Sequence, residues 1–179
     1  MKIKNLITST ILAIGVMTSA ASAVEWDTLY SRGNWRLDLN YYDNGSRSCE
    51  SRSTNSQDYV FSLFTWDDGD YVVRFTHEDW EFGDDAVDQD FVVAIDRRGP
   101  WEISGEKWDN VLQIIITPPS DTLTRFFGEV RAGNTLYLRN ANGQEITRFS
   151  LSGTTATLNQ HRNCESQILA GIDRSDPFK

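Results

Sequence analysis

Phe149-Ser-Leu-Ser-Gly-Thr-Thr-Ala-Thr-Leu-Asn-Gln-His-Arg-Asn-Cys164 changes period part-way along. Its first three residues close a strand, Ser152-Gly153 makes a turn, and a short helical run leads from Thr154 to Cys164. The chain has one other cysteine, Cys49, near the opposite end. Joined, the pair ties the last element to the first and closes one compact unit. Two free thiols or an intermolecular bond are the alternatives. An even cysteine count in an exported chain favours the intramolecular bridge. Its long loop is worth about 4–5 kcal/mol in chain entropy.

Export is read from the other end. Met1-Lys2-Ile3-Lys4 is basic, Leu6 to Val16 is largely apolar, and Ala21-Ser22-Ala23 has the small-x-small cleavage pattern. Residues 1–23 are expected to be a signal peptide, and 24–179 a single β-rich domain with a loose C-terminal tail. The apolar run is shorter than the ~20 residues a spanning helix needs. Removing the leader takes Lys2 and Lys4 but no acid, leaving 15 basic against 26 acidic residues, a net charge of −11. Such a chain repels phosphate backbones and anionic membrane surfaces. The compartment expected is the periplasm or the cell exterior.

Between these ends the pattern is mostly period two. Alternation or apolar runs place strands at 35–42, 59–66, 71–77, 91–96, 101–104, 111–117, 135–140 and 145–151. Asp67-Asp-Gly-Asp70 and Ala141-Asn-Gly-Gln144 have hairpin-turn chemistry. Residues 46–58, polar and rich in serine, read as a loop pinned through Cys49. Leu123, Phe126, Phe127 and Val130 fall on one helix face, with Ser120 as N-cap and Gly133 as stop. The expectation is a mainly β, antiparallel barrel or sandwich of about eight strands, with one packed helix near 120–132 and a short C-terminal helix.

Chemistry is sparser. His77 precedes an acidic loop and His161 sits in the C-terminal run, but no serine occupies a Gly-x-Ser-x-Gly elbow. Zinc spacing is absent, and no cofactor is expected. Calcium is the metal the acidic loop could hold, through Asp84, Asp85, Asp88 and Asp90, although the spacing is not that of an EF-hand. Trp80, Phe82 and Trp108 lie in acidic or polar connections. With Asp84 and Asp85 they form the candidate binding surface, since an exposed tryptophan among carboxylates can anchor a partner.

Phe149-x-Leu151-x-Gly153-Thr154-x-Ala156-x-Leu158 followed by Cys164 resembles the C-terminal signature of small exported alphaproteobacterial envelope proteins. These are distantly similar to the invasion-associated locus B family. The resemblance implies an envelope location, a β-rich domain and no known catalytic residues. The function expected is therefore a non-catalytic periplasmic binding or interaction protein, its partner an envelope or host protein. A calcium-stabilised adhesion-type domain and a hydrolase built around His77 are the alternatives.

Overall fold

The computed structural model describes residues 25–118 and 120–170. The expected signal segment and the final residues of the expected tail lie outside them. Ten strands are present: β1 Glu25–Arg32, β2 Trp35–Tyr41, β3 Arg47–Thr54, β4 Val60–Trp66, β5 Tyr71–Thr76, β6 Val87–Ile95, β7 Trp101–Trp108, β8 Val111–Ile116, β9 Thr135–Asn140 and β10 Glu145–Ser150. Helix α1, Asp121–Ala132, separates β8 from β9, and α2, Thr154–Leu169, follows β10.

All ten strands join one antiparallel sheet in the order β1-β2-β3-β4-β5-β8-β7-β6-β9-β10. The expected barrel is not formed. The sheet stays open with β1 and β10 as its edges, and both helices occupy the face that a barrel would enclose. Nor is it a stacked pair of separate sheets, because the β8–β7 pairing of Glu106 with Gln113 and Trp108 with Val111 carries the ladder through. As the apolar run at 111–116 suggested, β8 is an interior strand. Each edge pair carries a register shift, between Thr28 and Tyr30 in β1 and between Glu145 and Thr147 in β10.

Two strands were not expected, which is why the count is ten rather than eight. Leu29 falls in the shifted part of β1 and breaks its alternation. In β3 the fault is composition. Residues 47–54 are a full central strand and not a loop, paired with β2 and β4 along their whole length. Cys49, Ser51 and Ser53 face inward and are buried, and α2 lies against them. Their small side chains let a helix approach the sheet closely, so the strand needs no large apolar residues of its own.

One face of the sheet holds the core. Trp35, Phe61, Leu63, Val73, Phe75, Phe91, Val93, Ile95, Leu136, Leu138 and Phe149 pack there with Phe126 and Val130 of α1 and Leu158 of α2. Helix α1 starts as its sequence indicated, Ser120 Oγ accepting from the Leu123 amide. The turn into α2 uses Gly153 at φ +100°, a left-handed conformation that selects glycine, with Trp35 Cδ1 in van der Waals range of where a Cβ would stand. Helix α2 is sixteen residues long, not short. It extends because Ile168 joins Leu37, Leu39 and the disulfide in a second apolar cluster.

Cys49 and Cys164 form the disulfide, Cα atoms 6.0 Å apart and both residues buried. Beside it, His161 is 2% exposed and bridges two strands: Nδ1 shares a hydrogen bond with Ser51 Oγ (2.8 Å) and Nε2 one with Thr65 Oγ1 (2.9 Å). A covalent and a polar tie thus seat one helix on β3 and β4. No helix among the described residues is long and apolar enough to cross a membrane.

Candidate functional site

The second face of the sheet is covered by neither helix, yet its centre is buried. Strand pairing aligns side chains across it in rows. Arg36 stands opposite Arg52, Arg52 opposite Ser62, Ser62 opposite Arg74, and Arg74 opposite Gln113. The next row runs Asp38, Glu50, Phe64, Val72. All of these but Gln113 and Val72 line, with Trp26, Asn40 and Tyr42, a cavity of about 390 Å³.

Its floor is ionic. Asp38, 1% exposed, accepts from Thr28 Oγ1 (2.7 Å) and Arg36 Nε (2.7 Å), and Arg52 Nε lies 3.5 Å away. Glu50 accepts from Ser62 Oγ (2.7 Å) and from Asn40 Nδ2 (3.4 Å). Arg74 is clamped by Gln113 Oε1, which accepts from both Nε (3.0 Å) and Nη2 (2.8 Å). Its guanidinium lies over the Phe64 ring, 4.6 Å from the centroid.

Burial dominates the electrostatics. It raises the Glu50 carboxyl above the usual carboxylate range, against the donors from Ser62 and Asn40 and the positive charge of Arg74. The same burial lowers Arg74, against the negative field of Glu50. Charges in such a place cost stability in desolvation, and replacing them with apolar side chains is often neutral or favourable. Their chemistry is that of recognition, because fixed donors, acceptors and charges converge on one cavity. Arg36 and Arg52, each about a third exposed, form its accessible rim.

The expected binding residues lie elsewhere. Trp80 is half-buried, packed on the core edge with Tyr59 (5.7 Å between centroids) and Phe82 (5.1 Å). Lys107 sits over the Phe82 ring. Trp80 and Phe82 help line a smaller cavity of about 170 Å³. Trp108 ends β7, half-buried, and its neighbour Asp109 is tied to the loop, its carbonyl accepting from the Phe82 amide (2.7 Å) and its amide donating to the Gly83 carbonyl (2.6 Å). Trp80 is thus no fully exposed anchor: with Tyr59 and Phe82 it closes one end of the core.

Asp84 and Asp85 are exposed in the loop, while Asp88 and Asp90 stand on β6, where Asp90 accepts from Ser104 Oγ (2.5 Å). Among the described residues no three acidic, histidine or cysteine side chains converge as a metal site would require. His77 is spent on structure. Nε2 meets the Gln57 carbonyl at 3.0 Å, Nδ1 accepts from the Asp79 amide, and the ring stacks on Tyr59 at 4.0 Å. No serine joins it in these contacts.

The chain matches no protein-family model, and no curated protein or solved structure shows significant similarity to it. The site therefore stands on its geometry. It left a signal in the sequence: Arg36-x-Asp38-x-Asn40 and Glu50-x-Arg52 place polar residues on the face opposite the apolar positions of β2 and the small ones of β3. Alternation alone marks that face as solvent-facing. What it misses is that five adjacent strands bring their polar residues to one point.

Proposed function

We propose that this chain is an exported, non-catalytic binding protein of the bacterial envelope, and that it recognises a polar, charged group of its partner with the open face of β2 to β5. One observation carries the reading. Asp38 is buried, and Glu50 and Arg74 half-buried, on a face that neither helix covers, where burial works against their charges and they converge on a cavity. The disulfide fits an oxidising compartment. The resemblance of residues 149–164 to small envelope proteins gives the same location. A binding role fits better than a hydrolytic one, because both histidines are held in structural contacts.

Photo-cross-linking separates this face from the acidic loop. A photoreactive residue at Tyr42 should give a discrete adduct in the native envelope, lost when Arg36 and Arg52 are both changed to Ala. An adduct only from a probe at Asp84 would move the site to the loop. None from either position would sink the binding reading.

A further inference from the structure

On the opposite face, α1 and α2 run past each other with a groove between them, a cavity of about 370 Å³. Leu123, Phe127 and Leu158 give it apolar walls. At one side the Tyr71 hydroxyl donates to Glu165, which occupies that carboxylate. At the other stand Arg131 and Arg162.

These arginines lack what a protein normally supplies. Arg131 Nε is buried with no hydrogen-bond partner, and its Nη2 reaches only the Leu158 carbonyl, at 3.5 Å. No ion pair is made by either residue among the described residues. Burial, and after it the like charge of Arg162, lowers Arg131 from its ordinary range. A buried guanidinium donor without an acceptor is an incomplete arrangement. Nε itself is sealed from solvent, but the side chain as a whole is half-buried and lines the groove, so an anion there would meet the guanidinium charge.

Gly128 supports the same conclusion. It lies in the interior of α1, where glycine is a poor helix former. A Cβ there would meet nothing within 4 Å, so no close packing requires its absence. What glycine preserves at this position is the open groove.

We infer that the groove between α1 and α2 binds a small anionic amphiphile, a medium-chain monocarboxylate, with its carboxylate on Arg131 and its chain along Leu123, Phe127 and Leu158. At roughly 30 Å³ for each water-sized group, the cavity holds about a dozen heavy atoms, the size of octanoate or decanoate. This does not depend on the charged face, which lies across the sheet.

The test is calorimetric titration of the mature chain with octanoate, octan-1-ol and octylammonium. Octanoate should bind one to one. The alcohol should bind at least about tenfold more weakly, since it forfeits a charge-assisted contact, and the ammonium should not bind. Arg131→Met should remove the preference for the acid. Gly128→Leu fills the groove while leaving the Arg131 charge in place, and should abolish binding while the melting temperature holds or rises. Equal binding of acid and alcohol, no saturable octanoate binding, or binding that survives Gly128→Leu in a folded protein would each overturn the inference.

Discussion

Acidification should unseat α2 through His161. Burial, and secondarily the charge of Arg131, hold the imidazole neutral down to about pH 4, against an ordinary value of 6.5. The hydrogen bonds do not oppose protonation, because the hydroxyls of Ser51 and Thr65 can each accept from an imidazolium. Desolvation does. The folded pKa is depressed, so the unfolded chain takes up the proton first. His161 therefore contributes no penalty above pH 6.5, and stability drains away as pH falls from 6.5 towards 4. At about 1.4 kcal/mol per pH unit, the loss across that window is about 3 kcal/mol. Urea unfolding of the wild type and His161→Gln from pH 7.5 to 4 measures it. Carboxylate titrations are common to both proteins, so the difference between the two curves isolates the imidazole. The wild type should lose its advantage in acid, with most of the change between pH 6.5 and 4. Parallel curves would refute the assignment of a buried, neutral histidine.

Three further outcomes follow from packing. Changing both Cys49 and Cys164 to Ser should cost about 4–5 kcal/mol, read as a shift in urea midpoint, because the bridge closes a separation of 115 residues. Gly105→Ala drives a Cβ to 2.2 Å from the Gln113 carbonyl oxygen, so it should destabilise by at least about 2 kcal/mol and loosen the β7–β8 junction, visible as faster amide exchange there. Ser120→Ala removes the acceptor for the Leu123 amide and should cost about 1 kcal/mol by thermal melting.

Local chemistry made much of this fold legible. The eight strands with apolar alternation or apolar runs are present, and so are the Ser120 cap, the Leu123/Phe126/Val130 stripe and the turn at Gly153, because each is set by neighbouring residues. Where reading failed, a distant segment decided the outcome. Strand β3 has the composition of a loop, and becomes a strand because α2, more than a hundred residues later, covers its small inward side chains. The candidate site failed for the same reason. Arg36, Glu50, Ser62, Arg74 and Gln113 sit on different strands, and only the pairing register sets them side by side. Acidic neighbours at Trp80 are compatible with an exposed anchor or with a ring capping one end of the fold, and only the packing of Tyr59 and Phe82 around it decides for the core edge.

An open sheet leaves two rows of backbone donors and acceptors without a neighbouring strand, an invitation to edge-to-edge assembly. Here both edges are bent. The irregularities at Leu29 in β1 and Ile146 in β10 kink the outermost strands, and both side chains stand partly in solvent. A bulged strand twists away from the straight ladder that a second copy would need. The two apolar residues that look like flaws in otherwise regular strands therefore mark the places where each edge departs from the straight ladder that strand addition needs. Deleting Leu29 would restore the register of β1 and should make that edge more adhesive, seen as a larger species in sedimentation.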